Sequence, residues 1–221
     1  MNGGSMDFLL WVRGTGFNIA MVVLIVGVLV RLIEILALGR KADLAPRRSD
    51  GKGSGWRTIF TRSIPPPGML KASPVTYIAG YIFHLGLFIV VFLFVPHILL
   101  IKDLLGISWP GLPSALVDAV TVITLITMVA VLANRLTDPV KRFLSGFEDY
   151  LVWALTALPL LTGYLAFNHL TPDYTFMLAL HILSVQLLLV ALPFTKLMHA
   201  ITFVLARWYT GDIFGRKGVA S

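Results

Sequence analysis

The sequence predicts an all-α integral membrane bundle of about five transmembrane helices, with the N-terminus outside and the C-terminus cytoplasmic. Three observations carry that expectation. Hydrophobic side chains make up 57% of the 221 residues against 13% charged ones, and mean hydropathy is +0.85, far above a soluble domain with an ordinary core. Several apolar runs reach the roughly 20 residues that cross the hydrocarbon core of a bilayer. Basic residues gather in alternate connections, as topology requires.

The five spans are, in order, 17–38, 75–101, 115–133, 150–167 and 174–208. The first lacks a basic region ahead of a short apolar core, so it is expected to stay rather than be cleaved. Residues 40–73 form a basic cytoplasmic loop holding Arg40, Lys41, Arg47, Arg48, Lys52, Arg57, Arg62 and Lys71. Its stretches RRSDGKGSGW and IPPPG are rich in Gly, Ser and Pro, the composition of a mobile segment or one held by a partner. The fourth span contains Pro159 and Gly163, tolerable where neighbouring helices satisfy the freed backbone groups. The fifth is long enough to continue beyond the bilayer, ending in a cytoplasmic tail, 209–221. Arg135, Lys141, Arg142, Arg207, Arg216 and Lys217 join the loop on one side, whereas the opposite connections offer Arg13 and Lys102. The positive-inside rule therefore sets the orientation. Residues 1–221 are expected to form a single membrane domain, multi-pass in the cytoplasmic (inner) membrane.

The formal charge of +7 is explained by these loops, so nucleic acid is not an expected partner. The absence of cysteine excludes protein thiolate ligation of an iron–sulfur cluster, covalent haem attachment and any disulfide. Redox work here needs a cofactor held by other side chains.

The five histidines are that chemistry's candidates. His84 and His97 lie on the second span, His169 comes after the fourth, and His181 and His199 lie on the fifth. Polar side chains at membrane depth are costly and face cavities, cofactors or partners. His181 and His199 are eighteen residues apart, five turns of an ideal helix, and so should share a face. The second span runs the opposite way, so depth pairs His84 with His199 near the inside and His97 with His181 near the outside. Each pair can ligate one haem iron, with the macrocycle between two helices. The thirteen residues from His84 to His97 correspond to a rotation of about 140° on an ideal helix, so Pro96 must re-aim His97. His169, at a similar depth, competes as outer ligand. Gly86 can admit a porphyrin or serve helix packing, while Gly80 is assigned to packing.

The motifs HLGLF from His84 and LPFTKLMH ending at His199 resemble those of the gamma subunit of respiratory nitrate reductase. The wider family of diheme cytochrome b subunits includes the membrane subunits of heterodisulfide-reductase-like and sulfite-reductase-linked complexes. The resemblance covers most of the chain, and His181 fills the place eighteen residues before the closing histidine. It departs at the second span, where His84 and His97 stand three residues further apart than in nitrate reductase gamma subunits.

The resemblance implies two haems b, an inner one on His84 and His199 and an outer one on His97 and His181. The expected activity is that of a quinol-oxidising subunit of an oxidoreductase complex. Quinol gives up electrons near the outer haem and releases its protons outside. The electrons pass to a cytoplasmic iron–sulfur subunit whose terminal substrate site lies in another chain. Lys102 and His169, with Tyr164, Asn168 and Asp173, are the candidates for the quinone site. Lys196 and Arg207 are candidates for a haem propionate, or else snorkel to the interface. The same arrangement run toward quinone reduction, or a haem-free anchor or transporter, are the competing expectations. A transporter should concentrate charge at the midplane rather than histidine at two depths.

Overall fold

The computed structural model describes residues 3–39, 45–65 and 67–219. Arg40 and Lys41 of the basic loop lie outside these. Among the described residues the fold is all-α, and five helices are long and apolar enough to cross a membrane: Gly3–Ala37, Pro74–Leu93, Ser114–Thr137, Phe147–Phe167 and Tyr174–Phe194. The chain is a multi-pass membrane protein.

The elements are α1 (Gly3–Trp11), a π-helical turn (Val12–Gly16), α2 (Phe17–Ala37), α3 (Ser54–Thr61), α4 (Pro67–Ala72), α5 (Pro74–Leu93) and α6 (Val95–Leu105). Then come α7 (Ser114–Thr137), α8 (Pro139–Phe143), α9 (Phe147–Phe167) and α10 (Tyr174–Ala191). Two 3₁₀ turns, Leu192–Phe194 and Lys196–Met198, lead into α11 (His199–Arg216). These fall into two compact units, one of residues 1–20 and 73–188, the other of 21–72 and 189–221.

Three boundaries differ from expectation. The first span begins at Gly3, fourteen residues early, because α1 is apolar and the π turn continues its helix into α2. The second span is interrupted at Phe94, whose extended backbone (φ −82°, ψ 124°) separates α5 from α6. The fifth breaks over 192–198, where Thr195 is extended (φ −127°, ψ 179°) between the two 3₁₀ turns. Pro193 starts that break by removing a backbone donor. Five ideal turns therefore do not connect His181 to His199, and the shared-face argument fails for that pair.

In the first unit, α5 lies so close to α7 that a side chain on Gly86 would collide with the Thr124 hydroxyl. Gly86 is thus a packing glycine, while nothing lies near the Cβ position of Gly80. The packing role expected of Gly80 belongs to Gly86 instead. Leu9, Val12 and Ala179 are buried together with Phe8 and Ile182 packed around them. The buried Gln186 amide donates to the carbonyl of Val12, the first residue of the π turn, at 2.5 Å, so a polar side chain at this depth is bonded, as apolar surroundings demand.

In the second unit, α3 rests on α11 along a seam of glycines. Gly55 meets Trp208, Gly211 meets Thr58, and Gly215 meets Ser54. Arg207 Nη1 donates to Ser63 Oγ at 2.6 Å and to the Ile59 carbonyl at 3.2 Å. The loop expected to be mobile or held by a partner is, over 54–61, a helix packed against α11.

Candidate haem-ligand site

The break at Phe94 exposes the carbonyls of the last turn of α5, which have no helical donor. Three groups from later residues supply donors. His97 Nδ1 lies 2.9 Å from the Val90 carbonyl. Trp109 Nε1 donates to the Phe92 carbonyl at 2.6 Å. The Leu112 amide donates to the Leu93 carbonyl at 2.9 Å. Phe94 O in turn accepts from the His97 and Ile98 amides, starting α6. Pro96, in the first turn of α6, sits where a missing N–H is harmless. The interruption that re-aims His97 is thus anchored by its own local chain.

The re-aimed ring meets His181. The two imidazole centroids are 6.1 Å apart with planes inclined by 16°. His181 Nδ1 lies 3.1 Å from the Pro159 carbonyl, and a Cβ on Gly163 would fall 2.9 Å from its Cε1. Small size at Gly163 therefore makes room for the imidazole, a reason beyond the tolerance read from sequence. The Phe94 ring stands edge-on to His97 at 5.2 Å and to Phe167 at 4.9 Å, closing one side.

A carbonyl can only accept, so both Nδ1 atoms carry the proton and both Nε2 atoms keep a lone pair. This is the tautomer a metal-ligating histidine needs, with its other nitrogen held by a main-chain oxygen. Two imidazoles ligating one metal through Nε2, at roughly 2 Å each, bring their centroids to about 6.3 Å. The 6.1 Å spacing of the His97 and His181 rings is close to that separation.

The inner candidates share the tautomer. His84 Nδ1 lies 2.7 Å from the Gly80 carbonyl, and His199 Nδ1 lies 2.6 Å from that of Lys196. His84 belongs to the first unit and His199 to the second, and both are exposed. Among the described residues, no group of three or more His, Asp or Glu converges as a metal site; axial haem ligation needs only two.

Of the other expected residues, His169 stacks on Tyr174 (4.5 Å, 29°) in the left-handed region at φ 51°, and Lys102 is exposed on α6. Asn168 bonds Asp118 at 3.2 Å, a partner on α7 that the sequence did not single out. The Asp173 carboxylate accepts from the Ser5 hydroxyl at 2.6 Å and the Phe176 amide at 3.0 Å. The Ser5 hydroxyl first, then that amide, hold its carboxyl below the usual range. Lys196 is exposed at the second 3₁₀ turn. Arg207 is engaged through Nη1 with α3 and with Ser63 just beyond it.

No family model matches this chain, and no solved structure matches it. It is similar to a protein of Nitratidesulfovibrio vulgaris strain Hildenborough, described only as a protein. The two are 32% identical over 147 residues, covering 66% of this chain and 65% of that one. The chain spans just under two thirds of that relative's length.

Proposed function

We propose that the protein is a membrane cytochrome b subunit of the cytoplasmic membrane, exchanging electrons between the quinone pool and a cytoplasmic iron–sulfur partner. The observation that carries this is the pair His97 and His181, at metal-bridging separation with both Nδ1 atoms on carbonyls. His97 and His181 hold the outer haem b, and His84 with His199 hold the inner one. The resemblance carried by HLGLF and LPFTKLMH supports the same ligand set.

The bound haems supply one-electron carriage between the two membrane faces. The chain's own residues do the rest. Carbonyls of Val90 and Pro159 hold the imidazole protons on Nδ1, so each ligating nitrogen presents a lone pair. Gly163 leaves space for His181, and Phe94 packs edge-on against both His97 and Phe167. At the outer end, Lys102 and His169, with Tyr164, Asn168 and Asp173, would line the place where a quinol docks, and its two protons are released outside as two electrons leave it for the partner. Lys196 pairs with a haem propionate. The basic loop faces the cytoplasm and the iron–sulfur subunit.

The test is a pyridine haemochrome assay with reduced-minus-oxidised spectra on purified protein. Two haems b per chain are expected, one lost with His97→Ala and one with His199→Ala. Folded protein without haem would sink the reading, and an unchanged spectrum in His97→Ala would transfer the outer ligand to another residue.

A further inference from the structure

A charged pair sits inside the first span, unused by the proposed electron transfer. Arg31 and Glu34 lie near the end of α2 and bond one another, Nη1 to Oε2, at 2.9 Å. Charges at such a position are costly and are kept where they serve something. Here Arg31 also reaches another element: its Nε donates to the Pro193 carbonyl at 3.0 Å.

That carbonyl has a specific need. In a continuous helix the Pro193 carbonyl would accept from the amide of residue 197. The break diverts that amide, because Leu197 N bonds the Thr195 hydroxyl oxygen at 3.3 Å instead. An orphaned carbonyl in apolar surroundings costs several kcal/mol by the general rule for membranes. Arg31 Nε supplies the replacement donor. One turn earlier on the same face, Gly27 lets the helices close up: a Cβ there would lie 2.6 Å from the Pro193 ring and 3.4 Å from the Phe194 ring. Gly27 and Arg31, four residues apart, thus seat the Pro193 ring and bond its carbonyl together.

From this joint the chain is specified through to His199. Thr195 Oγ1 donates to the Ala191 carbonyl at 2.9 Å, Met198 N donates to the Thr195 carbonyl at 3.1 Å, and His199 Nδ1 sits 2.6 Å from the Lys196 carbonyl. We propose that Arg31 is a positioning residue for the inner haem: its Nε donor fixes the Pro193 joint and thereby the direction in which α11 presents His199. The proposal rests on the cytochrome reading. The donor at Nε is the operative group, not the charge; Glu34 neutralises the guanidinium that carries the donor.

The chemistry of glutamine separates donor from charge, since its Nε2 lies the same number of bonds from the backbone as Arg31 Nε. Full-length protein is prepared as wild type, as Arg31→Gln with Glu34→Gln, and as Arg31→Met with Glu34→Gln. Haem content is measured by pyridine haemochrome during haem titration, and the low-spin signals by electron paramagnetic resonance. The inner haem is identified as the one absent in His199→Ala. The glutamine variant should keep the inner signal, and the methionine variant should lose roughly 10- to 100-fold in inner-haem affinity with an altered signal, the scale for loss of an outer-shell partner. The outer haem, retained in both, reports that the protein is folded. Equal loss in both variants would overturn the proposal in favour of a charge role such as pairing with a propionate. No change in either would overturn it in favour of simple snorkelling. A wild type without haem would remove the cytochrome reading itself, a distinct result from two haems that ignore Arg31.

Discussion

Two helix breaks precede two of the expected ligands, and they are stabilised in opposite ways. The break at Phe94 is satisfied by the adjoining chain, with Trp109 only 17 residues from its acceptor. The break at 192–198 draws on Arg31, 162 residues away. The first joint is a local structure that aims His97 inside one unit, beside His181. The second is completed by another span, so, as proposed, the presentation of His199 depends on Arg31 of α2. A histidine set by nearby sequence tolerates distant change, whereas one set by a remote side chain does not.

The sharpest way to break that contrast is at the ligands. His181→Ala should remove one haem of two, the outer, leaving the inner spectrum unchanged; loss of both in the haemochrome assay would show that the sites form together. Next is Gly86→Ala, which forces a methyl group onto Thr124 between α5 and α7. Overpacking of this kind costs about 1–3 kcal/mol, and a lowered thermal midpoint with both haems present is the expected result. Trp109→Phe keeps an aromatic ring but removes the donor to the Phe92 carbonyl. A loss of about 1 kcal/mol in stability is expected, with a spectral change confined to the outer haem.

The smallest effect concerns Asp173, whose carboxyl is held low by the Ser5 hydroxyl. A depressed carboxyl stabilises above its ordinary pKa and loses that contribution as pH falls through its folded value. Thermal midpoints of Ser5→Ala and wild type should therefore differ near neutral pH and converge as the solution is acidified below the ordinary carboxylate range. A difference independent of pH would assign the Ser5 bond a purely neutral role.

Much of the fold is legible because a bilayer imposes a length and an apolar composition on every span. Ser114–Thr137 and Phe147–Phe167 lie close to their expected limits for that reason. Helix interruptions are less legible. Pro96 signals the re-aiming of His97, but the break falls two residues earlier, at Phe94, where Trp109 and the amide of Leu112 compensate. Pro193 reads as part of a motif within a continuous helix, since periodicity alone cannot register the extended Thr195 beyond it. The depth pairing of His97 with His181 comes from antiparallel spans and is met by their proximity. Arg31 gives no signal, because an arginine near the end of a span, with Glu34 three residues on, resembles ordinary topology and its acceptor exists only once the fifth span breaks. Gly86 is ambiguous in the sequence because Thr124, which decides its role, sits on another helix.

The glycine seam between α3 and α11 has a consequence for biosynthesis. Ser49 bonds the Gly215 carbonyl, 166 residues further along the chain, so the loop emerges long before the helix it rests on. At about 5–20 residues per second, the ribosome takes on the order of ten to thirty seconds to deliver α11. Throughout that interval Gly55 and Thr58, which are buried in the finished fold, travel on a segment without its final support. The loop segment and the helix that holds it are thus made far apart in time, and α3 waits for α11.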